Sequence, residues 1–462
     1  MKTNITVPCC QQSSKIRSLS ITTMRQLCSI VVCVVLFLSG CQSSTSATLP
    51  TTSTQSATTP ITNAKDVSNT SIPTPTETSI STEILTDESA DDVRDKLSIN
   101  DTLTNDPLPT LTLVMVGDIL LHTPVEQSAL QDDGSYNFDA LFAHTNDAIL
   151  AADLALVNQE VIIGGETLGI SGYPCFNAPF ALCDSLKDAG FDVICHATNH
   201  ALDKGKTGLL SCYQNWTEHY PELAILGIHD NAESADELFL YTVNTNSSDP
   251  DFNSFTIAIL NYTYGTNGIP LPKDMPYAVD LLDEKAVIAD LQAAKDVADF
   301  IVVCPHWGTE YQTQPDAYQK KWAQIFLENG VDLVIGTHPH VIEPIEWMQD
   351  ETTGHEMLIY YSLGNYVNWT SSSGKTIANR MVGGMATVTI TLDEDGNTII
   401  SDYGIEALVC HLEAGTNGVT TYFLSDYTQE LASQNVICSQ DSNFSKEYCV
   451  DLCNDVWGSL WH

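Results

Sequence analysis

The chain has 462 residues, with 18 Lys and Arg against 59 Asp and Glu, a formal net charge of −41. That length allows two or three domains, or one large domain with appendages, and a hydrophobic content of 43% can fill a sizeable core. The charge excludes a nucleic-acid binder, which needs clustered Lys and Arg, and a protein that adsorbs to membranes through a basic surface.

Residues 1–40 carry Lys2, Lys15, Arg17 and Arg25 and no acidic side chain, so the acidity belongs to the rest of the chain. The run from Leu27 to Gly40 is uncharged and mostly apolar, and too short to span a bilayer comfortably as a helix. It closes on Leu38-Ser39-Gly40-Cys41, which resembles the lipobox of bacterial lipoproteins, where the Cys becomes the lipidated first residue of the mature chain. Residues 1–40 are therefore read as a lipoprotein signal peptide and Cys41 as the lipidation site. The expected location is outside the cell, lipid-anchored to the outer face of the cytoplasmic membrane. An ordinary signal peptide or an uncleaved anchor is the alternative, and Met24 competes with Met1 as the start. Residues 41–107 are rich in Ser, Thr and Pro and then turn acidic (Asp87, Glu88, Asp91, Asp92, Asp95). Such a segment cannot bury enough apolar area to offset its ordering entropy, and reads as a solvated tether.

From residue 108 the pattern becomes regular. Leu111–Val116 is an apolar run ending in Gly117-Asp118, a strand feeding a loop. Helical spacing over 139–151 precedes the strand Leu154–Asn158. Ala178–Ala189 predicts a helix and Phe191–Cys195 a strand. A helix over 206–219 precedes the strand Phe255–Leu260. Leu282–Ala298 predicts a helix before the strand Phe300–Cys304, and Ala317–Asn329 a helix before the strand Val331–Ile335. Strand-like runs follow at Met357–Tyr361, Met385–Leu392 and Thr398–Tyr403. Alternation of this kind predicts an α/β fold with helices covering buried strands. The main domain is expected over 108–415, with residues 416–462 as a C-terminal extension that either packs on the domain or docks a partner.

Nine cysteines fall in the domain region, and none shows the repeated spacing of a zinc site. In an exported protein a disulfide is expected among Cys438, Cys449 and Cys453, with free thiols as the alternative in an anaerobe.

Metal-competent residues stand just past the apolar runs. Asp118 and His122 follow the first strand, and Asn158 and Glu160 the second. Asn199, His200 and Asp203 follow the third, His306 follows Cys304-Pro305, and His338 and His340 follow Ile335-Gly336-Thr337. Ligands of open α/β folds bind beyond the carboxyl ends of strands, so these loops can converge. Taken singly, a Gly-Asp is also a turn and an Asn-His also a cap. Two His flanking Pro339 in a tight turn can present both imidazoles to one centre. Asp, Glu, Asn and His together suit a dinuclear site for divalent ions.

In sequence order the motifs are Gly117-Asp118-Ile119-Leu120-Leu121-His122, Val157-Asn158-Gln159-Glu160, Thr198-Asn199-His200-Ala201-Leu202-Asp203, Pro305-His306-Trp307-Gly308-Thr309-Glu310-Tyr311, Gly336-Thr337-His338-Pro339-His340-Val341 and Gly364-Asn365-Tyr366. Together they resemble the CapA family of bacterial capsule synthesis proteins, linked to poly-γ-glutamate, over about residues 110–410. The resemblance implies a calcineurin-like metallophosphoesterase-type sandwich of two β-sheets flanked by helices. It implies divalent metal ions, two in number, with Mn, Zn, Fe and Mg not distinguished. Asp118 would ligate the first metal, Glu160 would bridge, Asn199, His306 and His338 would ligate the second, and His340 would return to the first. His200 would act as general acid or transition-state donor with Asp203 orienting it, while Glu310 and Asn365 would support the site or contact substrate. His122 and Asn158 are further metal or substrate candidates.

The chain departs from the phosphoesterase pattern in three places. Position 120 is Leu where an Asp-x-His would place His, Glu160 stands where an Asp bridges, and Thr123 stands where many capsule relatives carry Arg. The expected partners are an anionic envelope polymer such as poly-γ-glutamate, membrane-bound synthase subunits and the membrane itself, with no nucleic acid. Three functions follow from the resemblance: a metal-dependent hydrolase in polymer metabolism, a non-enzymatic accessory subunit of a synthase or export complex, and an extracellular metallophosphoesterase. Residues 108–462 carry a net −38, so recognition of a polyanion has to be local, through metal and a few cations such as Lys204, Lys206 and Arg380.

Overall fold

The computed structural model describes residues 108–244, 253–413 and 418–461. The signal segment, Cys41 and the tether lie outside these residues. Among the described residues, no helix is long and apolar enough to cross a membrane.

The first sheet is built around β1 (Thr110–Ile119). β2 (Leu154–Asn158), β3 (Val193–Cys195) and β4 (Ala224–Leu226) follow it in parallel on one side. Its connections hold α1 (Thr123–Ala129), α2 (Asn146–Ala151), α3 (Ala181–Ala189) and α4 (Gly205–His219). α3 buries Leu182, Cys183, Leu186 and Ala189 and stops at Gly190, whose φ of 101° suits a left-handed cap. α4 buries Leu209, Cys212 and Trp216.

After α5 (Ala232–Ala235), a second sheet forms from β5 (Phe239–Asn244), β6 (Ser254–Thr263), β7 (Phe300–His306), β8 (Leu333–Ile335), β9 (Ile345–Gln349) and β10 (Glu356–Tyr360), in the order β5-β6-β7-β8-β10-β9. The pairs β6–β7, β7–β8 and β8–β10 are parallel, and the two edges are antiparallel. Alternation along each strand shows which face meets what. Ile257, Ile259, Phe300 and Val302 join the main core with β1–β3, while Ala258, Leu260, Ile301 and Val303 pack under α6 (Glu284–Lys295) and α7 (Ala317–Glu328). Strands covered on both faces read as continuous apolar runs. Asp283 caps α6, and Asp316 with Gln319 forms a capping box on α7.

The chain then returns to the first sheet. β11 (Asn365–Val367) lies parallel beside β1, and β12 (Val382–Leu392), β13 (Thr398–Leu412) and β14 (Val419–Phe423) complete it antiparallel. Gly117 permits the β1–β11 approach: a Cβ there would stand 1.9 Å from the Gly364 carbonyl oxygen. The result is an α/β sandwich of two sheets with helices on the outside.

Several local expectations are corrected. The helix expected over 139–151 is a short turn of helix at Asp139–Leu141, then α2, broken where the Thr145 hydroxyl donates to the Phe142 carbonyl and hydrogen-bonds with the Tyr366 hydroxyl. Cys438, Cys449 and Cys453 are free thiols. Cys449 and Cys453 stand one turn apart on α9 (Lys446–Trp457), buried in the core, and the Cys438 Sγ donates to the Ala432 carbonyl at 3.1 Å. Of the two readings left open for the C-terminal extension, the described residues 418–461 take the first and pack on the domain: β14 pairs with β13, α8 (Gln429–Gln434) follows, and Trp457 donates from Nε1 to the Glu343 carbonyl at 3.0 Å.

Candidate functional site

The carboxyl ends of β1, β2, β3, β7 and β8 all open at one edge of the sandwich, and the polar residues that follow them meet there. Asp118 is the penultimate residue of β1. Glu160 lies two residues past β2, His306 ends β7, and His338 and His340 sit in the turn after β8. All five are buried. Two groups of three could hold a metal ion: Asp118, Glu160 and His340, and Glu160, His306 and His338. They share Glu160.

Glu160 is completely buried, and neither carboxylate oxygen has a hydrogen-bond partner. Instead, imidazole Nε2 atoms surround Oε1: His340 at 3.6 Å, His306 at 3.8 Å and His200 at 3.9 Å. A buried carboxylate without hydrogen bonds is costly, and burial, with Asp118, Glu310 and Asp203 nearby, pushes its pKa well up. His338 Nδ1 and Asn158 Oδ1 are likewise buried and unpartnered. Burial and the neighbouring imidazoles hold His306 and His338 well below the usual histidine range, as neutral rings with lone pairs to offer. Burial also acts against a charge on His340, but Glu160 and Asp118 outweigh it and raise that ring to about 10. The residues present thus fit divalent cations, which would satisfy the orphaned oxygens and imidazole nitrogen together.

The backbone is bent to make this arrangement. His338 and His340 both have positive φ, 98° and 58°, a cost of about 1–3 kcal/mol each for side chains other than glycine. Gly336 lets the turn sit close to β10; a Cβ there would meet the Tyr361 carbonyl oxygen at 2.2 Å. Asp118 is oriented by Asn158 Nδ2 at 2.8 Å and His340 Nδ1 at 3.0 Å. His306 Nδ1 lies 3.1 Å from the Thr337 hydroxyl, and its Nε2 is 3.0 Å from Asn199 Oδ1.

The other sequence candidates fall into place around this centre. His200 Nδ1 is 2.7 Å from Asp203 Oδ2, and the same oxygen accepts from the Phe176 N–H at 2.7 Å. A carboxylate only accepts, so Nδ1 carries the hydrogen and Nε2 faces Glu160. His122 joins neither metal-competent group. It stands at the N-terminal end of α1 without a side-chain capping bond, its ring among Phe176, Trp369 and Tyr173, and burial together with His340, His200 and Arg380 lowers its pKa to about 3. Asn365 accepts from His340 Nδ1 at 3.1 Å and donates to the His340 carbonyl at 3.0 Å. Glu310 is exposed at the rim.

A cavity of about 630 Å³ opens onto the centre, with Asn199, His200 and His340 in its lining. Its walls are Tyr173, Phe176, Tyr311 and Trp369, with Arg380 at one side. Of the cations considered from sequence, only Arg380 lines it; Lys206 is paired with Asp274 at the surface. The aromatic wall was not among the sequence candidates, although Tyr311 directly follows Glu310 within a recognised motif.

The family model described as bacterial capsule synthesis protein PGA_cap matches residues 112–370. The chain is 33% identical over 270 residues to the PGA biosynthesis protein CapA of Bacillus subtilis (strain 168), covering 56% of this chain and 64% of that protein. It is 25% identical over 285 residues to the capsule biosynthesis protein CapA of Bacillus anthracis, covering 58% and 62%. The matched stretch thus spans less than two thirds of either relative. Among solved structures it is similar to the calcineurin-like phosphoesterase YfkN of Bacillus subtilis, with 13% identity, a TM-score of 0.36, and coverage of 74% of this chain and all of that one.

Proposed function

The chain belongs to the bacterial capsule synthesis protein family PGA_cap, and from that premise we propose that it is a metal-dependent hydrolase acting on an amide-linked anionic envelope polymer of the poly-γ-glutamate kind. We further propose that it works outside the cell, held to the membrane through Cys41 and the tether. The observation that carries the catalytic reading is the buried Glu160 carboxylate, with no hydrogen bond and three imidazole nitrogens around it.

In this reading Asp118, Glu160 and His340 hold one ion, and Glu160, His306 and His338 hold the second with help from the Asn199 amide oxygen. When bound, such ions supply Lewis acidity toward an electrophilic carbonyl. The protein's own groups do the rest. Asp203 keeps the hydrogen on His200 Nδ1, so His200 Nε2 faces the cavity as the atom that takes a proton from the attacking water and passes it to the departing amine, as the water oxygen replaces the amide nitrogen on the carbonyl carbon. The aromatic walls give the cavity an apolar lining, and the strained His338-Pro339-His340 turn fixes one imidazole in each of the two metal-competent groups without a search through rotamers.

The test combines metal analysis with turnover. The purified chain is loaded with Mn²⁺ or Zn²⁺, its bound metal is measured, and it is offered poly-γ-glutamate and a phosphodiester. Stoichiometric metal, and cleavage of the polymer that His200→Ala abolishes, support the reading. Polymer binding that survives chelation without any cleavage makes the protein an accessory subunit instead, and cleavage of the phosphodiester alone makes it a phosphoesterase.

A further inference from the structure

Arg380 is the only arginine in residues 108–462, and it stands in the wall of the cavity beside the proposed centre. None of the lysines of this acidic region lines that cavity. Its guanidinium carbon lies 3.5 Å from the centroid of the Tyr311 ring, a stacked cation–π arrangement. Nη1 donates to the Thr370 hydroxyl at 3.2 Å. Among the described residues no carboxylate comes within salt-bridge distance of it, although Glu310 lines the same cavity. Most of its five N–H donors are therefore left for a ligand.

The guanidinium is also held at a set distance from the ligand turn. The Arg380 carbonyl accepts from Asn365 Nδ2 at 2.9 Å, and the same Asn365 grips His340 through both its side chain and its backbone. From the other side, the Tyr311 N–H donates to the Pro339 carbonyl at 2.7 Å, and Tyr311 accepts a φ of 66° to do so. Both supports of Arg380 thus end on His338-Pro339-His340. Residue 380 lies beyond the stretch that the family model matches.

We infer that Arg380 is a specificity-determining residue that binds a carboxylate of the substrate while the bond to be cleaved lies at Glu160 and His200. The second half of that statement rests on the function proposed above; the carboxylate site does not. A single guanidinium fork matches the charge and the two-oxygen geometry of a carboxylate. The flanking Tyr173, Phe176 and Trp369 suit the methylene stem that carries one. The substrate class is an amide-linked chain with a free carboxylate beside each amide, and a chain with those acids neutralised is rejected.

The test is calorimetric binding to the full chain, both Mn²⁺-loaded and chelator-treated. The probes are a γ-glutamyl tripeptide, the same tripeptide with its carboxylates converted to carboxamides, and inorganic phosphate. The wild type is expected to bind the acid at least about tenfold more tightly than the amide, as a charge-assisted hydrogen-bond pair requires. Arg380→Gln erases that preference with bound metal unchanged, and Arg380→Lys keeps part of it. Tyr311→Leu, which removes the stacking surface and leaves the charge, lowers acid binding several-fold. Discrimination that survives chelation in a protein that cleaves nothing retires the hydrolase reading and leaves the carboxylate site standing. A wild type that does not distinguish acid from amide, an Arg380→Gln variant that still does, or phosphate bound more tightly than the acid overturns the inference.

Discussion

Asn365 grips His340 at two points, accepting from its Nδ1 at 3.1 Å and donating to its carbonyl at 3.0 Å. His340 Nδ1 is shared with Asp118 Oδ2 at 3.0 Å, so the ring's Nε2 is left facing Glu160 at 3.6 Å. Register explains the pairing: β11 runs beside β1 with Asn365 opposite Asp118. Residues that orient a metal-ligating imidazole are worth about 10–100-fold in metal affinity. Asn365→Ala is therefore expected to lower Mn²⁺ or Zn²⁺ affinity by about that factor, read by competition with a chromogenic chelator. Unchanged affinity would remove Asn365 from the site's support.

Glu160→Gln has opposite effects with and without metal. It relieves a buried carboxylate that has no hydrogen bond and leaves a neutral amide whose oxygen still faces His340 Nε2. Chelator-treated Glu160→Gln should be more stable than wild type, by roughly 1–3 kcal/mol. In saturating metal the order reverses, because metal binding stabilises the wild type by about 3–4 kcal/mol at 100–1,000 times the dissociation constant. Thermal unfolding with and without EDTA checks both signs. A variant less stable in both conditions argues against the metal reading.

Asp203→Asn leaves the packing near Phe176 in place but removes the carboxylate facing His200 Nδ1. Turnover of the polymer should fall by about 10²–10⁴-fold, with bound metal and KM nearly unchanged. Loss of metal or a large rise in KM, at unchanged kcat, would place Asp203 in binding and not in proton transfer.

Glu343 supplies a pH dependence away from the proposed ligands. It is completely buried, with Oε2 accepting from Gln319 and Oε1 unpartnered, and burial raises its pKa to about 8. The folded-state value lies above the ordinary 4.5, so the native state holds the proton that the unfolded chain loses first. Its contribution is full below pH 4.5, declines as pH rises toward about 8, and is flat beyond. Glu343→Gln should remove that slope, making the variant more stable than wild type by roughly 2–4 kcal/mol at pH 9. Urea midpoints at pH 5, 7 and 9 measure it. A difference that is constant across the three values would show that Glu343 does not titrate in the folded state.

Local pattern determined much of this protein. Apolar runs such as Leu154–Asn158 and Phe300–Cys304 declare strands because a few adjacent residues bury both faces, and the polar residues that follow them are marked as strand-end groups. The motif glycines carried a steric message too, since Gly117 and Gly336 stand where strands touch. β4, β9 and β11 escaped although β3 and β8 are as short: β4 and β9 are part-exposed sheet edges and β11 opens on the polar Asn365, and the helix over 139–151 is interrupted where the Thr145 hydroxyl takes a tertiary partner in Tyr366.

Tertiary structure alone decided which polar residues meet. His340 and Asp118 are 222 residues apart in sequence, on elements of different sheets, and only the packing of those two sheets against each other brings Nδ1 to Oδ2. Asn365 reached Asp118 because β11 inserts beside β1, and Arg380 reached the cavity because the chain returns to that sheet after β11. Hydrophobic periodicity is a property of neighbours along the chain and specifies elements one at a time. The meeting of their ends is set by the free energy of burying whole sheet faces against each other, and no window of sequence contains that quantity.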